Sequence, residues 1–397
     1  MSKSVPYAAR SAGRPFAVAS SQRNRLLAST ALVVGLSLTM PGAMLAQTWT
    51  GSTDTDWTDG TNWSSTPFAP AAAGNVVING TGNALNDPAL SADSAALNSV
   101  TISGTVGTPR TLTVTAVLDT TTGGTTVNAN GTLALAAGGT VVGAVNINGG
   151  GSLGMIGDKS ISTLGGTGNG IIYLGNDELT IGGSNTASSY AGMVSGNSTS
   201  ELIKTGTATM TVSGDFSTTG GVTVEDGTLE LSGNNSIAEV TVGGGTGNAR
   251  LLLGSNGAAG GSLGQITTLG SVVSYANGVV MATPIVLNSN DTQLEVLGTD
   301  SATQSGIISE TGGARPLEKI GTGRLVVSGN NSYTGDTTVT AGALNVQHNN
   351  GLGTVLGDTI VDTGAALELQ NGVTIAAGED LTISGTGISN GGALRSV

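Results

Sequence analysis

Residues 317–346 read LEKIGTGRLVVSGNNSYTGDTTVTAGALNV. Short apolar runs alternate with Thr and Asn, and glycine interrupts every run. The same texture extends outward in both directions. Val100-Thr101-Ile102-Ser103-Gly104, Thr111-Leu112-Thr113-Val114-Thr115, Thr132-Leu133-Ala134-Leu135, Thr228-Leu229-Glu230-Leu231 and Ala366-Leu367-Glu368-Leu369 all place an apolar residue at every second position. That spacing turns one face inward and the Thr or Glu face outward. Asn130-Gly131 and Asp226-Gly227 provide the positive φ that tight turns require. No stretch of a dozen residues keeps a helical period with caps. The chain therefore reads as all-β. A sandwich or barrel needs a thick core, usually with aromatic residues from two facing sheets. Here aromatics are 3% of 397 residues, while glycine numbers 66. This favours a right-handed parallel β-helix, a solenoid in which thin coils stack like residues on like. About 15 coils are expected from repeat units of roughly 20–25 residues.

The opening stretch has a partner upstream. Residues 202–231 read LIKTGTATMTVSGDFSTTGGVTVEDGTLEL and align with it without a gap, Lys204 falling on Lys319 at an offset of 115. The shared positions are Lys204, Gly206, Gly214 and Gly227 in the first copy and Lys319, Gly321, Gly329 and Gly342 in the second. Tyr333 belongs to the second copy alone, Thr218 standing at its place in the first, whereas Gly335 falls on Gly220. The first has Ala208 at its second glycine, and Phe216 stands ahead of the tyrosine's place. A weaker half-copy lies at Thr125–Val127 and Gly131–Leu135. Gly165-Gly166-Thr167-Gly168-Asn169 recurs at 244–248. A solenoid tolerates such uneven insertions, because each coil contacts only its neighbours.

The pattern of the second copy resembles the autotransporter-associated β-strand repeat of type V secreted proteins of Gram-negative bacteria. The residues that carry the resemblance are Lys319, Gly321, Gly323, Asn331, Tyr333 and Gly335. It is strong over about 190–370. Trp49-Thr50-Gly51, Asp56-Trp57 and Asn62-Trp63-Ser64 resemble the segment that often opens such passengers. The resemblance implies an exported or surface-displayed passenger that acts as a stalk or adhesin without catalysis or cofactor. Its partner would be a host or neighbouring-cell surface, glycans among the candidate ligands. The family's outer-membrane translocator barrel is expected to lie outside this sequence.

The expected organisation has three parts: a signal peptide over 1–46, an aromatic cap region over 47–70 and β-helix repeats over 71–397. Residues 1–46 carry Lys3, Arg10, Arg14, Arg23 and Arg25 and no acid, followed by an apolar run from Leu26 to Met40 and a small-residue stretch ending at Ala46. This is the layout of a secretory signal, with cleavage expected after Ala46. Five of the 13 bases and none of the 26 acids leave with it, so the remainder carries eight bases against 26 acids, near −18. Phosphate neutralisation with so few bases is implausible, which argues against a nucleic-acid partner.

Candidate chemistry is thin. There is no cysteine and one histidine, so a Cys/His metal cluster cannot be assembled. His348 sits in a polar turn and reads as a turn residue rather than a triad member. The Gly-Gly-Thr-Gly-Asn pieces lack the carboxylate of a calcium nonapeptide, having Gly170 and Ala249 at that place. Glu225-Asp226 and Glu379-Asp380 are the candidate acid pairs for the alternative reading, a carbohydrate-active or carbohydrate-binding β-helix. Lys204 and Lys319 are expected to bridge a corner or pair with an acid of the next coil. Tyr190 and Tyr333 are expected to stack or cap at coil corners, and Trp49, Trp57 and Trp63 to cap the open N-terminal end. A sugar-binding aromatic cluster is the alternative for the tryptophans.

Overall fold

In a computed structural model the described residues are 46–64, 69–80, 86–245, 247–255 and 262–397, all within one unit from Met44 to Val397. Apart from Ala46, the expected signal segment lies outside them. The described residues hold no α-helix, only two single 3-10 turns, Gly60–Asn62 and Ile388–Asn390. Everything else regular is strand, and the strands pair in parallel as a solenoid of about 13 turns. That is somewhat fewer than the roughly 15 expected.

Three strands make a coil. Thr163–Gly165, Ile171–Gly175 and Glu178–Ile181 form one; Ser188–Tyr190, Met193–Gly196 and Glu201–Lys204 form the next. Each strand lies in register on its counterpart, as Ile172 does on Val194 and Leu179 on Leu202. Parallel pairing in register stacks identical side-chain directions, so every inward position becomes a ladder along the axis. One such ladder runs Leu112, Leu133, Leu153, Ile172, Val194 and Phe216, all fully buried. Each of these side chains contributes about 1.5–3 kcal/mol relative to exposure.

The register spacing is not constant. It is 19 residues from Val145 to Leu164 and 26 from Ser236 to Ser262. This has a consequence for the repeats. Lys204 belongs to the strand Glu201–Lys204, inside the 14-stranded sheet. Lys319 belongs to Leu317–Ile320, inside the 10-stranded sheet that also holds Thr209–Val212 of the first copy. Five register steps connect Met210 to Lys319 through Leu229, Leu251, Val273 and Leu294. The second copy is therefore advanced by one strand around the axis relative to the first. The repeat is a local unit that functions at any side of the coil.

At the N-terminal end, Gln47–Thr48 pairs with Asn75–Ile78, and an antiparallel bridge joins Trp49 to Trp63. Trp49 and Trp57 each meet Trp63 edge-on, at 4.9 and 4.8 Å between ring centroids. All three rings are buried. Their indole N–H groups are satisfied where present in contact with backbone: Trp49 Nε1 donates to the Asn86 carbonyl and Trp63 Nε1 to that of Trp57, both at 2.8 Å. Buried rings cannot serve as a sugar platform, which removes that alternative for the tryptophans.

Candidate functional site

The repeat lysines point inward. Lys204 is 2% exposed and Lys319 is 1% exposed. By register Lys204 lies between Ile181 and Val224, and Lys319 between Leu294 and Val339. Each stem therefore continues an aliphatic ladder, and each ammonium reaches the adjoining corner. Lys204 Nζ donates to the carbonyls of Thr205 (2.6 Å), Gly206 (2.7 Å) and, one coil on, Asp226 (3.2 Å). Lys319 Nζ donates to those of Ile320 (2.9 Å), Gly321 (2.8 Å) and Ala341 (3.0 Å). The corner is bridged as expected, but the hydrogen-bond partners are backbone carbonyls and not an acid of the next coil. The reason is register: the residues stacked on each lysine are aliphatic, whereas two turns direct carbonyl oxygens at its tip. An ammonium with three donors matches three acceptors.

The corner glycines belong to the same device. Gly206, Gly227, Gly321 and Gly342 all have φ between +64° and +73°. A Cβ on Gly342 would lie 2.3 Å from the Gly323 oxygen and 2.6 Å from the Gly321 oxygen, the latter also the acceptor of Lys319. Gly214 and Gly329 do not need positive φ; a Cβ there would strike the carbonyls of Gly192 and Gly306 in the preceding coil. Gly335 likewise lies against Arg315.

Tyr333 is buried in its turn, with its hydroxyl 2.7 Å from Thr337 Oγ1. Of the two roles expected for it, Tyr190 takes stacking. It is an inward strand residue stacked on Val212 rather than a corner cap, because its strand alternation directs it to the core. Asn235 went unmarked in the sequence, whereas its counterpart Asn331 belongs to the repeat pattern. Asn235 and Asn331 are buried and accept backbone N–H groups of the preceding coil, from Phe216 (3.3 Å) and Ile308 (2.9 Å). Their signal was the motif Ser-Gly-Asn-Asn-Ser at 232–236 and 328–332, offset by 96 rather than 115.

Burial pushes the Lys319 ammonium down to about 8 and lowers that of Lys204, where the charge of Asp226 opposes the shift. Between pH 8 and the ordinary lysine range near 10.4, the unfolded chain holds a proton that folded Lys319 has released. Stability should therefore rise with pH across that interval. Below pH 8 both states are protonated and this contribution is flat. Tyr190, Tyr275 and Tyr333 are shifted upward by burial, so above about pH 10 their unfolded-state ionisation reverses the slope. Urea midpoints from pH 7 to 11 should pass through an alkaline maximum. A flat or falling curve between 8 and 10 would contradict the buried-ammonium account.

The candidate acid pairs do other work. Asp226 Oδ1 closes its own turn on the Gly227 N–H at 2.7 Å. Glu379 accepts from Thr359 Oγ1 at 2.6 Å, and burial raises its pKa. His348 Nδ1 accepts the Asn350 N–H at 3.0 Å, which makes it a turn residue. Among the described residues no group of three His, Asp or Glu could hold a metal ion, and no helix is long and apolar enough to cross a membrane. What the coils offer instead is lateral surface. A polar groove of about 440 Å3 runs over Asn290, Gln293, Glu318 and Thr338, with Gln293 Nε2 donating to Glu318 at 2.7 Å.

The chain matches the passenger-associated-transport-repeat family at residues 202–231 and 317–346. Over 103 residues it is 37% identical to the adhesin BmaC autotransporter of Brucella suis biovar 1 (strain 1330). That match covers 24% of this chain and 3% of the relative, so the chain spans only a small part of the protein it resembles. No solved structure matches the chain at a significant level.

Proposed function

Because its transport repeats, its adhesin relative and its parallel coil stack together fit an autotransporter passenger, we propose that the chain is exported and displayed at the cell surface as a non-catalytic stalk and adhesin. On this reading residues 1–46 are the export signal, cleaved after Ala46. Residues 47–70 shield the first coil, and 71–397 form the rod. The observation that carries the proposal is the pair of transport repeats folded into one parallel stack and held by internal lysines. Coils about 4.8 Å apart hold loops and lateral faces well away from the point of attachment. The repeat positions Lys204, Gly206, Gly214, Gly227, Lys319, Gly321, Gly329, Tyr333, Gly335 and Gly342 serve this architecture. They take no part in ligand chemistry.

The partner is a host or neighbouring-cell surface met through the outward Thr, Asn and Ser ladders. The test is adhesion of cells displaying the protein, with and without residues 190–346. Adhesion should fall to the level of cells without the protein when that segment is deleted, and the purified chain should compete with wild-type cells. Full adhesion after the deletion would sink the reading.

A further inference from the structure

We propose that the outward face around Tyr173 binds neutral oligosaccharides, an assignment that rests on the adhesin reading and names its ligand class. Tyr173 lies in the strand Ile171–Gly175 and is 53% exposed. Among the described residues it is the one exposed aromatic: the tryptophans, Phe216, Tyr190, Tyr275 and Tyr333 are all buried. An aromatic ring in water gives the fold none of the burial that the other seven supply.

The setting of the ring is specific. Its register neighbours along the axis are Gly154 on one side and Ser195 on the other. A Cβ built on Gly154 would meet no heavy atom within 4 Å, so the space beside the ring is open. Two residues back on the same strand, Ile171 joins Met193 in walling a cavity of about 400 Å3, with Asn169 and Asp215 also lining it. Ile171 and Tyr173 share a face of the strand, about 7 Å apart. The ring of Tyr173, with Ser195 as its register neighbour, thus lies on the same outward face as the cavity that two aliphatic side chains, an amide and a carboxylate line.

That combination matches a pyranose. A sugar ring presents a face of C–H groups that packs on an aromatic face, and a rim of hydroxyls that exchange hydrogen bonds with amides, carboxylates and hydroxyls. Concave sites with apolar walls and a few placed polar groups are the usual form of small-ligand sites. Charge selects among glycans. The patch has no Lys or Arg, it contains Asp215, and the whole chain carries a net charge of −13. Sulfated and sialylated chains are repelled by such a surface. Neutral chains are not.

The test is binding of the purified chain to immobilised cello-, chito- and lacto-series oligosaccharides, with heparin and sialyllactose alongside. Binding to at least one neutral series is expected, and none to heparin or sialyllactose. Tyr173→Ala should weaken it about tenfold, Tyr173→Phe less than about twofold, and Gly154→Val should weaken it by filling the shelf. Unfolding midpoints of all three variants should stay at the wild-type value, since both positions face solvent. Absence of neutral-glycan binding, preference for heparin, or unchanged binding by Tyr173→Ala would each overturn the assignment. So would selective capture of an apolar peptide at this face. The two readings fail separately. If cells displaying Tyr173→Ala adhere as well as wild type, adhesion stands and the sugar site falls. If glycan binding is lost in Tyr173→Ala while wild-type cells never adhere, the site stands and the adhesin reading falls.

Discussion

Lys319→Ala is expected to cost about 3–5 kcal/mol, a core truncation added to the loss of three hydrogen bonds. Two effects act together. Truncation opens a cavity in an aliphatic ladder between Leu294 and Val339. It also strips three carbonyls of half-buried residues, those of Ile320, Gly321 and Ala341, of their donor. Lys319→Met refills the volume but not the hydrogen bonds, so it should cost less, about 1–3 kcal/mol. Stability in a solenoid is approximately a sum over coils and their interfaces, so the damage stays local. Hydrogen exchange should show protection lost from Leu294 to Val361 and retained from Val100 to Leu164. Wild-type protection throughout in Lys319→Ala would refute the role of the lysine as a pin between coils.

The second large effect is expected at the facing glycine. Gly342→Val combines a left-handed backbone, worth about 1–3 kcal/mol of strain for a side-chain-bearing residue, with a clash against backbone that cannot move aside. The total should exceed about 3 kcal/mol. Gly364 is the control. Its φ is +88° but a Cβ there meets nothing within 4 Å, so Gly364→Ala should cost only about 1–2 kcal/mol. Gly342→Ala and Lys319→Ala disturb one corner through the shared Gly321 carbonyl, so the double variant should lose clearly less than the sum. Strict additivity would mean that glycine and lysine act independently, against the geometry.

The two effects also explain why the repeat has the form it does. A glycine at positive φ lets a coil turn sharply, and the turn exposes inward carbonyls that no strand can pair. A lysine two residues earlier supplies the missing donors and reaches the next coil as well. The unit is self-contained, which is why it works equally in the 14-stranded sheet at Lys204 and in the 10-stranded sheet at Lys319. A repeat that depended on one particular side of the coil would not survive register spacings that vary from 18 to 29 residues.

Much of this was legible in the sequence. Alternation in Thr228–Leu231 and Gly131–Leu135, glycine at the turns and scarcity of aromatics sufficed for an all-β solenoid, because period-two burial is a property of the strand itself; Ala366–Leu369 departs from it, Glu368 being buried against Arg324 and Arg395. Spacing between the copies was enough to single out Lys204 and Lys319. Their direction was not legible: a lysine in an alternating strand is ordinarily an outward residue, and only the two adjacent turns make an inward one satisfiable. Asn235 escaped notice, although Asn331 was marked by the repeat pattern, because their shared motif recurs at a different offset from the lysines.

What the chain's own order of residues determined is therefore local: which segments are strands, where they turn, and which positions can be dry. Tertiary structure alone decided who stacks on whom. Coil length varies, so neither the carbonyl of Ala341 above Lys319 nor the bare space beside Tyr173 can be counted out along the sequence. Both arise from register between coils, which is set by the packing of whole ladders rather than by any single residue.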